Sequence, residues 1–203
     1  MRRASPEPAH SFLPPVYYGT VDATLLWVCL LADAWRWGMD ADQVRALIPS
    51  ADRALAWMAD NGDGDGDGFL DHRDEFGRGL TNQSWKDSDD SVRSADGTVA
   101  VGPVALAEIQ GYAYEVATAG ADLPDAFGRP GAERWRRYAT ELAGRFRAAF
   151  WVSDEPGPFP ALALDGNNCP VDAPASNMGT CSPPASCPIP RPSSLRTAWS
   201  IPP

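Results

Sequence analysis

Lysine, histidine and cysteine are scarce in this chain. Lys86 is the single lysine among 17 basic residues, and the 203 residues include two histidines and four cysteines. Cys29 lies in an apolar segment, and the other three cysteines follow residue 168 in a proline-rich stretch without the spacing of metal ligands. We therefore expect no zinc site, and we expect a reduced, cytoplasmic setting.

Long apolar runs and an excess of positive charge are also missing. No uninterrupted apolar run reaches the ~18 residues of a transmembrane helix, and the basic start MRRASPEPAH is not followed by the apolar core of a secretory signal. A net charge of −10 argues against nucleic acid or an anionic membrane as the partner. The whole chain is 44% apolar and 10% aromatic, a composition that suits one globular domain.

Apolar periodicity predicts four helices, over residues 20–38, 40–60, 102–119 and 130–151. The first can begin at Thr20 or Asp22, and it is apolar on nearly every side, which is typical of a helix buried between layers. The second begins at Asp40, and Pro49 predicts a kink or a split within it. Each apolar helix is followed by a more charged one, so the pattern predicts an all-α fold with an inner and an outer layer.

The connection between the second and third helices, residues 61–100, is rich in glycine and aspartate. Connections of this length are uncommon in compact domains and are usually functional, so we place the candidate site here. Residues 1–12 are expected to be disordered, residues 13–178 to form the helical domain, and the Pro/Ser-rich residues 179–203 to form a disordered tail.

Residues 61–75, NGDGDGDGFLDHRDE, have nearly the spacing of a calcium loop. Such a loop takes oxygen ligands at positions 1, 3, 5, 9 and 12, with glycine at position 6. The aligned carboxylates are those of Asp63, Asp65, Asp67, Asp71 and Asp74. Aspartate replaces the usual glutamate at position 12, and no exiting helix is predicted. The alternative is an Asp/Gly turn that joins a helix to a short hairpin; no cofactor is required, and calcium is the one that this pattern allows.

Residues 79–93, GLTNQSWKDSDDSVR, place Trp85, Lys86, Asp87, Asp89 and Asp90 within one short segment. Crowded carboxylates cannot all ionise freely and a tryptophan adds desolvation, so at least one pKa is expected to rise. A carboxylic acid that stays protonated near neutral pH is what the general acid of glycosidic-bond cleavage requires. The alternative is a solvated, aspartate-rich helix start.

The third predicted helix carries acids and tyrosines on a mostly apolar sequence. Glu108, Tyr112 and Glu115 fall at positions i, i+4 and i+7, which share one helix face. These side chains can line a sugar pocket through hydrogen bonds and stacking, or they can form an ordinary helix edge.

Four motifs, YYGTVDAT, DGDGDGFLDH, GLTNQSWKDSDDS and GPVALAEIQGYAYE, occur in the order seen in bacterial glycogen-debranching-type proteins. These are the amylo-α-1,6-glucosidase-like members of the six-hairpin glycosidase superfamily, which the chain resembles over about residues 13–178. The resemblance implies part of an (α/α)6 toroid with a small hairpin or loop insertion. It also implies inverting hydrolysis of α-1,6 bonds in glycogen-like α-glucans. Leu25 and Ser84 depart from the pattern, which usually has proline and glycine there.

The resemblance also implies roles for individual residues. Asp87, in Trp-Lys-Asp, matches the general acid, and Asp90 is the runner-up. The implied substrate-binding residues are Asp22, Gln83, Trp85, Lys86, Glu108, Gln110 and Tyr112. Two alternatives stay open: an enzyme on the same scaffold that acts on trehalose or a mannosyl-type glycoside, and a non-catalytic carbohydrate-binding remnant.

The tail leads to a further expectation about activity. From about Thr180 the sequence CSPPASCPIPRPSSLRTAWSIPP has no helical period, and no carboxylate follows Asp172. An abrupt loss of pattern is what a frameshift produces, and the carboxylate that activates water would be expected in the portion that is absent. We therefore expect these 203 residues alone to be inactive, because an inverting mechanism needs a base as well as an acid.

Overall fold

The computed structural model describes residues 20–71, 84, 90–153 and 157–176. This part of the chain contains four helices: α1 Ala23–Arg36, α2 Ala41–Asn61, α3 Ala107–Ala126 and α4 Ala132–Ala149. It also contains five two-residue strands: β1 Ala105–Leu106, β2 Trp151–Val152, β3 Phe159–Pro160, β4 Ala163–Leu164 and β5 Pro170–Val171. Helices dominate, which is compatible with the predicted all-α class. None of the helices in the described ranges is long and apolar enough to cross a membrane.

The four predicted helices are present with different ends. α2 begins after Asp40, as predicted, because the Asp40 carboxylate accepts hydrogen bonds from the backbone N–H groups of Asp42 and Gln43 at 3.0 and 3.2 Å. The predicted split at Pro49 is wrong, since α2 continues through this residue. The predicted start of α3 is five residues too early, because the residues after Pro103 are extended and form β1.

α3 lies at the centre of the bundle and packs against α1, α2 and α4. The guanidinium of Arg36, in the last turn of α1, lies 3.1 Å from the carboxylate of Asp122 near the end of α3, so these two helices end on the same side. α2 and α4 each follow their predecessor after a short turn and run back. The starts of α1 and α3 and the ends of α2 and α4 therefore share one end of the bundle.

A small antiparallel sheet fixes the start of α3. Its strand order is β1-β4-β5, with Ala105 opposite Leu164 and Leu106 opposite Ala163. The N–H of Ala107, one of the donors that a helix start leaves without an internal partner, bonds to the Leu162 carbonyl at 3.0 Å. Strands β2 and β3 form a separate pair. Residues 161–171, called the meander below, thus hold the end of the bundle where α3 begins.

One face of α1 is apolar and exposed. Leu26, Leu30 and Trp37 are 41%, 66% and 86% exposed, and their spacing places them along one side of the helix. The opposite side, including Leu25 and Val28, is buried in the core. The prediction that α1 is buried between two layers is therefore confirmed on one side only, and no described element covers the other.

Gly120 lets three helices approach one another closely. A Cβ atom at this position of α3 would lie 2.8 Å from the side chain of Leu55 on α2 and 3.1 Å from the ring of Trp135 on α4. Both distances are shorter than ordinary carbon contacts, so the absence of a side chain brings α2 and α4 onto the same turn of α3.

We expect Gly120→Ala to lower the free energy of unfolding by about 1–2 kcal/mol, because overpacking outweighs the gain in helix propensity. Gly144→Ala is the matched control, since Gly144 is an exposed residue of α4 and a Cβ there would meet nothing within 4 Å. This control should raise the free energy of unfolding by roughly 0.5–1 kcal/mol. Urea unfolding followed by circular dichroism measures both, and equal stabilisation by the two variants would contradict the close packing at Gly120.

Candidate functional site

The predicted site residues that the structure describes gather mainly at one end of the bundle. Asp22 stands at the start of α1, and Glu108 and Gln110 lie in the first turn of α3. The Asp-rich loop, residues 62–71, follows the end of α2. Gln83, Trp85, Lys86, Asp87 and Asp74 lie outside the described residues.

The register between α1 and α3 brings Asp22 and Glu108 to the same level. Arg36 pairs with Asp122, which lies 86 positions later in the sequence. Cys29 and Glu115 are also 86 positions apart and are close in space: burial is the main cause that raises the pKa of the Cys29 thiol, and the charge of Glu115 adds to it. Asp22 and Glu108 are separated by the same 86 positions, and each lies two helical turns before the Cys29–Glu115 level. Residues seven apart share a helix face, so Asp22 and Glu108 occupy the faces of α1 and α3 that carry Cys29 and Glu115.

The Asp22 carboxylate is not used to cap its helix. Asp22 occupies the N-cap position of α1, but its side chain accepts no capping hydrogen bond, in contrast to Asp40 at the start of α2. Within the described residues, the half-buried side chain is therefore not bound to the start of its own helix. The backbone still contributes, because the Asp22 carbonyl accepts from Leu26 N–H at 2.8 Å.

The buried polar and charged side chains of the described residues are concentrated in the candidate site. They are Ser84, Glu108 and Gln110, which are 3%, 2% and 0% exposed. Burying such groups opposes folding unless they gain polar contacts. The positions of Glu108 and Gln110 in the predicted motifs mark the first turn of α3 as a candidate for a functional or positioning role.

Gln110 has partners other than the predicted sugar. Its Nε2 donates to the carbonyls of Leu70 at 2.7 Å and Leu106 at 3.1 Å, and its Oε1 accepts from the N–H of Leu70 at 2.9 Å. Both amide protons are thereby used. In this arrangement the side chain fastens the Asp-rich loop to α3, because the backbone of Leu70 pairs with the carboxamide as it would with a neighbouring strand.

The Asp-rich loop has the turn geometry of the predicted calcium loop. Gly68, at position 6, has a φ of +90°, and its N–H donates to Asp63 Oδ2 at 2.9 Å. Gly66 N–H donates to Asp63 Oδ1 at 2.7 Å, and Gly64 N–H donates to Asp71 Oδ1 at 3.2 Å. Carboxylate oxygens of Asp63, Asp65 and Asp71 all lie within 4.8 Å of one another.

Burial dominates the electrostatics of this loop, and the neighbouring carboxylates add to it. Partial burial, with the charges of Asp65, Asp63 and Asp67, raises the pKa of Asp71 to about 6, although the Gly64 N–H opposes the shift. Burial also raises the pKa of Asp67. Among the described residues, Asp71 Oδ2 is buried and has no hydrogen-bond partner. An all-oxygen donor set with such an oxygen fits a hard divalent cation.

Arg145 of α4 is part of this end of the bundle, and sequence reasoning missed it. Its Nε donates to the Gly68 carbonyl at 3.1 Å, and a Cβ at Gly68 would lie 2.7 Å from that nitrogen. Phe69 packs edge-on against Phe150 at 5.1 Å between ring centroids. In the sequence Arg145 is one of several arginines on the outer face of α4, and nothing local distinguishes it.

Asp90 and Tyr112 are the remaining predicted residues in the described ranges. Asp90 Oδ2 lies 2.7 Å from the Arg93 guanidinium, and the carboxylate is largely exposed. A guanidinium neighbour favours the charged carboxylate, whereas a general acid must carry a proton, so these surroundings speak against Asp90 as the acid. Tyr112 is half-buried on α3 and packs against the core.

Comparison with protein-family models gives no match to this chain, and comparison with curated proteins gives none either.

The pKa of Asp71 predicts a pH dependence of stability in metal-free buffer. Its folded value of about 6 lies above the ordinary 3.8, so the folded state binds the proton more tightly than the unfolded state. The contribution of Asp71 to stability is therefore fully present below about pH 4 and is lost as the pH rises through about 6. Asp71→Asn, which keeps an acceptor for Gly64 N–H, should melt at a higher temperature than the unsubstituted protein at pH 7, with a smaller difference at pH 4. Thermal unfolding in EDTA measures this, and an equal difference at both pH values would contradict it.

Proposed function

We propose that this chain forms part of the sugar-binding and catalytic end of a glycoside hydrolase that cleaves α-1,6 bonds of α-glucans with inversion. In this proposal α1 and α3 are neighbouring inner helices, and α2 and α4 outer helices, of an (α/α)6 toroid. The ordered motifs support it, as does the parallel packing of α1 and α3 with the other two helices running back.

The observation that carries the proposal is the placement of Asp22 and Glu108. Two carboxylates stand at the starts of adjacent parallel helices, where the helix dipoles favour negative charge. Carboxylates accept hydrogen bonds from sugar hydroxyls, and Tyr112 lies one turn beyond Glu108 on the same helix. Packed helices lie ~8–10 Å apart, a separation that a sugar ring can bridge.

The described residues on either side of the segment that contains Asp87 lie at this same end. The segment leaves the described structure at Asp71 and is followed at Asp90 by a hairpin in which Arg93 pairs with Val99. The hairpin is tied to the region just after the meander, because Ala95 N–H donates to Asp172 Oδ1 at 2.7 Å. Both flanks of the segment therefore contact elements that surround the start of α3.

The proposed reaction uses Asp87 as the general acid, which protonates the glycosidic oxygen as the bond to the anomeric carbon breaks. A second carboxylate takes a proton from water, and the water oxygen forms the new bond on the opposite face. Asp22 and Glu108 hold the sugar hydroxyls. A trehalose- or mannosyl-directed enzyme would use the same groups on another glycoside.

A non-catalytic carbohydrate-binding protein is the second candidate. It is favoured by one observation: the acid candidate within the described residues, Asp90, is exposed and paired with Arg93. Titration calorimetry with maltooligosaccharides and a hydrolysis assay with an α-1,6-linked oligosaccharide separate the two. Turnover that Asp87→Asn abolishes, while sugar binding remains, supports the enzyme. Heat of binding without turnover, in a version that carries the complete toroid, supports the binding protein.

We expect Asp22→Asn and Glu108→Gln each to weaken maltooligosaccharide binding roughly 10- to 100-fold, the range for a lost hydrogen bond to a charged group. Asp42→Asn is the matched control, because Asp42 is an exposed carboxylate in the first turn of α2, at the other end of the bundle. Its affinity should equal that of the unsubstituted protein. Thermal unfolding confirms that each variant is folded, and unchanged affinity in both site variants would exclude the seam as the sugar site.

The Asp-rich loop is, in the same proposal, a structural calcium site. Asp63, Asp65 and Asp71 would supply carboxylate oxygens, and the buried Asp71 Oδ2 gives the cation an oxygen that no donor in the described ranges occupies. A bound cation would neutralise their repulsion and hold the loop that Gln110 fastens to α3.

Adding calcium to EGTA-treated protein should raise the melting temperature, because a ligand that binds only the folded state stabilises it. Asp71→Asn should abolish most of this rise, whereas Asp42→Asn should leave it unchanged. Differential scanning calorimetry with and without calcium gives both comparisons. No response of the unsubstituted protein would leave the loop as an Asp/Gly turn.

A further inference from the structure

Three parts of the chain converge on the carboxamide of Gln110. The Asp-rich loop contributes both backbone groups of Leu70, and the last residue of β1 contributes the Leu106 carbonyl. The side chain itself belongs to the first turn of α3. One fully buried group thus joins a loop, a strand and a helix that are separated by up to 40 positions in sequence.

The contact is specific to this side chain. Leu70 is buried and, like Gln110, is almost without exposed surface, so water cannot replace a lost hydrogen bond. The loop closes on itself at the same place, because Asp71 N–H donates to the Gly62 carbonyl at 3.0 Å. Leu70 and Gln110 therefore link the order of the loop to α3.

Glu108 lies between the two points that this carboxamide fixes. Leu106 precedes it by two positions and Gln110 follows it by two, and the Nε2 atom of Gln110 bonds to the Leu106 carbonyl across that interval. The carboxamide of Gln110 therefore bonds both to the loop and across the turn that carries Glu108. A change in the loop at Leu70 would reach α3 at this turn.

We infer that Gln110 is a positioning residue that couples the Asp-rich loop to Glu108, so that the order of the loop sets the sugar affinity of the Asp22–Glu108 pair. The effect on sugar affinity rests on the proposed function. The coupling between the loop and the first turn of α3 rests on the hydrogen bonds of Gln110 alone. It replaces the predicted sugar contact of Gln110 with an indirect role.

The test uses Gln110→Met, which keeps an unbranched side chain of similar length and removes every hydrogen bond of the carboxamide. We expect a loss of about tenfold in maltooligosaccharide affinity, together with faster amide hydrogen exchange at Leu70 and in the first turn of α3. Gln110→Asn, which keeps the amide but is too short for all three bonds, should change both in the same direction if the methionine variant fails to fold. Gly120→Ala is the matched control, since it destabilises the bundle away from the site and should leave the affinity unchanged.

A double-mutant cycle separates positioning from general loss of structure. If Gln110 acts through Glu108, adding Gln110→Met to Glu108→Gln costs little further affinity, so the two effects are not additive. The inference is overturned if Gln110→Met and Gln110→Asn keep the original affinity and slow exchange at Leu70, or if Gly120→Ala loses as much affinity as they do. If Asp22→Asn and Glu108→Gln do not change sugar binding, the proposed function fails, and hydrogen exchange alone then decides the coupling.

Discussion

The packing of three helices around α3 is the constraint on which the rest of the structure depends. Small residues such as Ala113, Ala117 and Gly120 let the neighbours approach closely, and Gly120 admits both Leu55 and Trp135. Because side chains interdigitate at this distance, the axial register of α1 against α3 is fixed by contact. The levels of Asp22 and Glu108 follow from that register, and so does the position of the loop that Gln110 holds.

Sequence periodicity was enough to find the helices, but not the elements that locate the site. The Asp40 cap and the apolar stripe of α2 are local signals, and α2 begins where they indicate. The start of α3 was misplaced because the pairing of residues 105–106 with 163–164 overrides a local reading of Pro103. Strands of two residues have no alternation to detect, and they exist because distant parts of the chain meet.

The same distinction applies to the site. Composition and motifs indicated polar residues in the first turn of α3, and both Glu108 and Gln110 are buried there. The partner of Gln110 lies 40 positions earlier in a loop, so neither helical spacing nor residue type predicts which atoms its amide meets. For α1, composition indicated burial on nearly every side. Leu26 and Leu30 are nevertheless exposed, because no described element packs against that side of the helix.

Charge repulsion in the Asp-rich loop explains why that loop is held from several directions. Like charges that lie close together repel, and carboxylate oxygens of three aspartates lie within 4.8 Å of one another here. The N–H groups of glycines in the loop, Arg145 on α4 and Gln110 on α3 all oppose opening of the loop. The glycine N–H groups donate to carboxylate oxygens, whereas Arg145 and Gln110 bond to backbone groups of Gly68 and Leu70. Within the described residues, none of these donors reaches Asp71 Oδ2. Burial, with the neighbouring charges, raises the pKa of Asp71 to about 6, so a proton can satisfy that oxygen at low pH, and at neutral pH the cation that the loop is proposed to bind can do so.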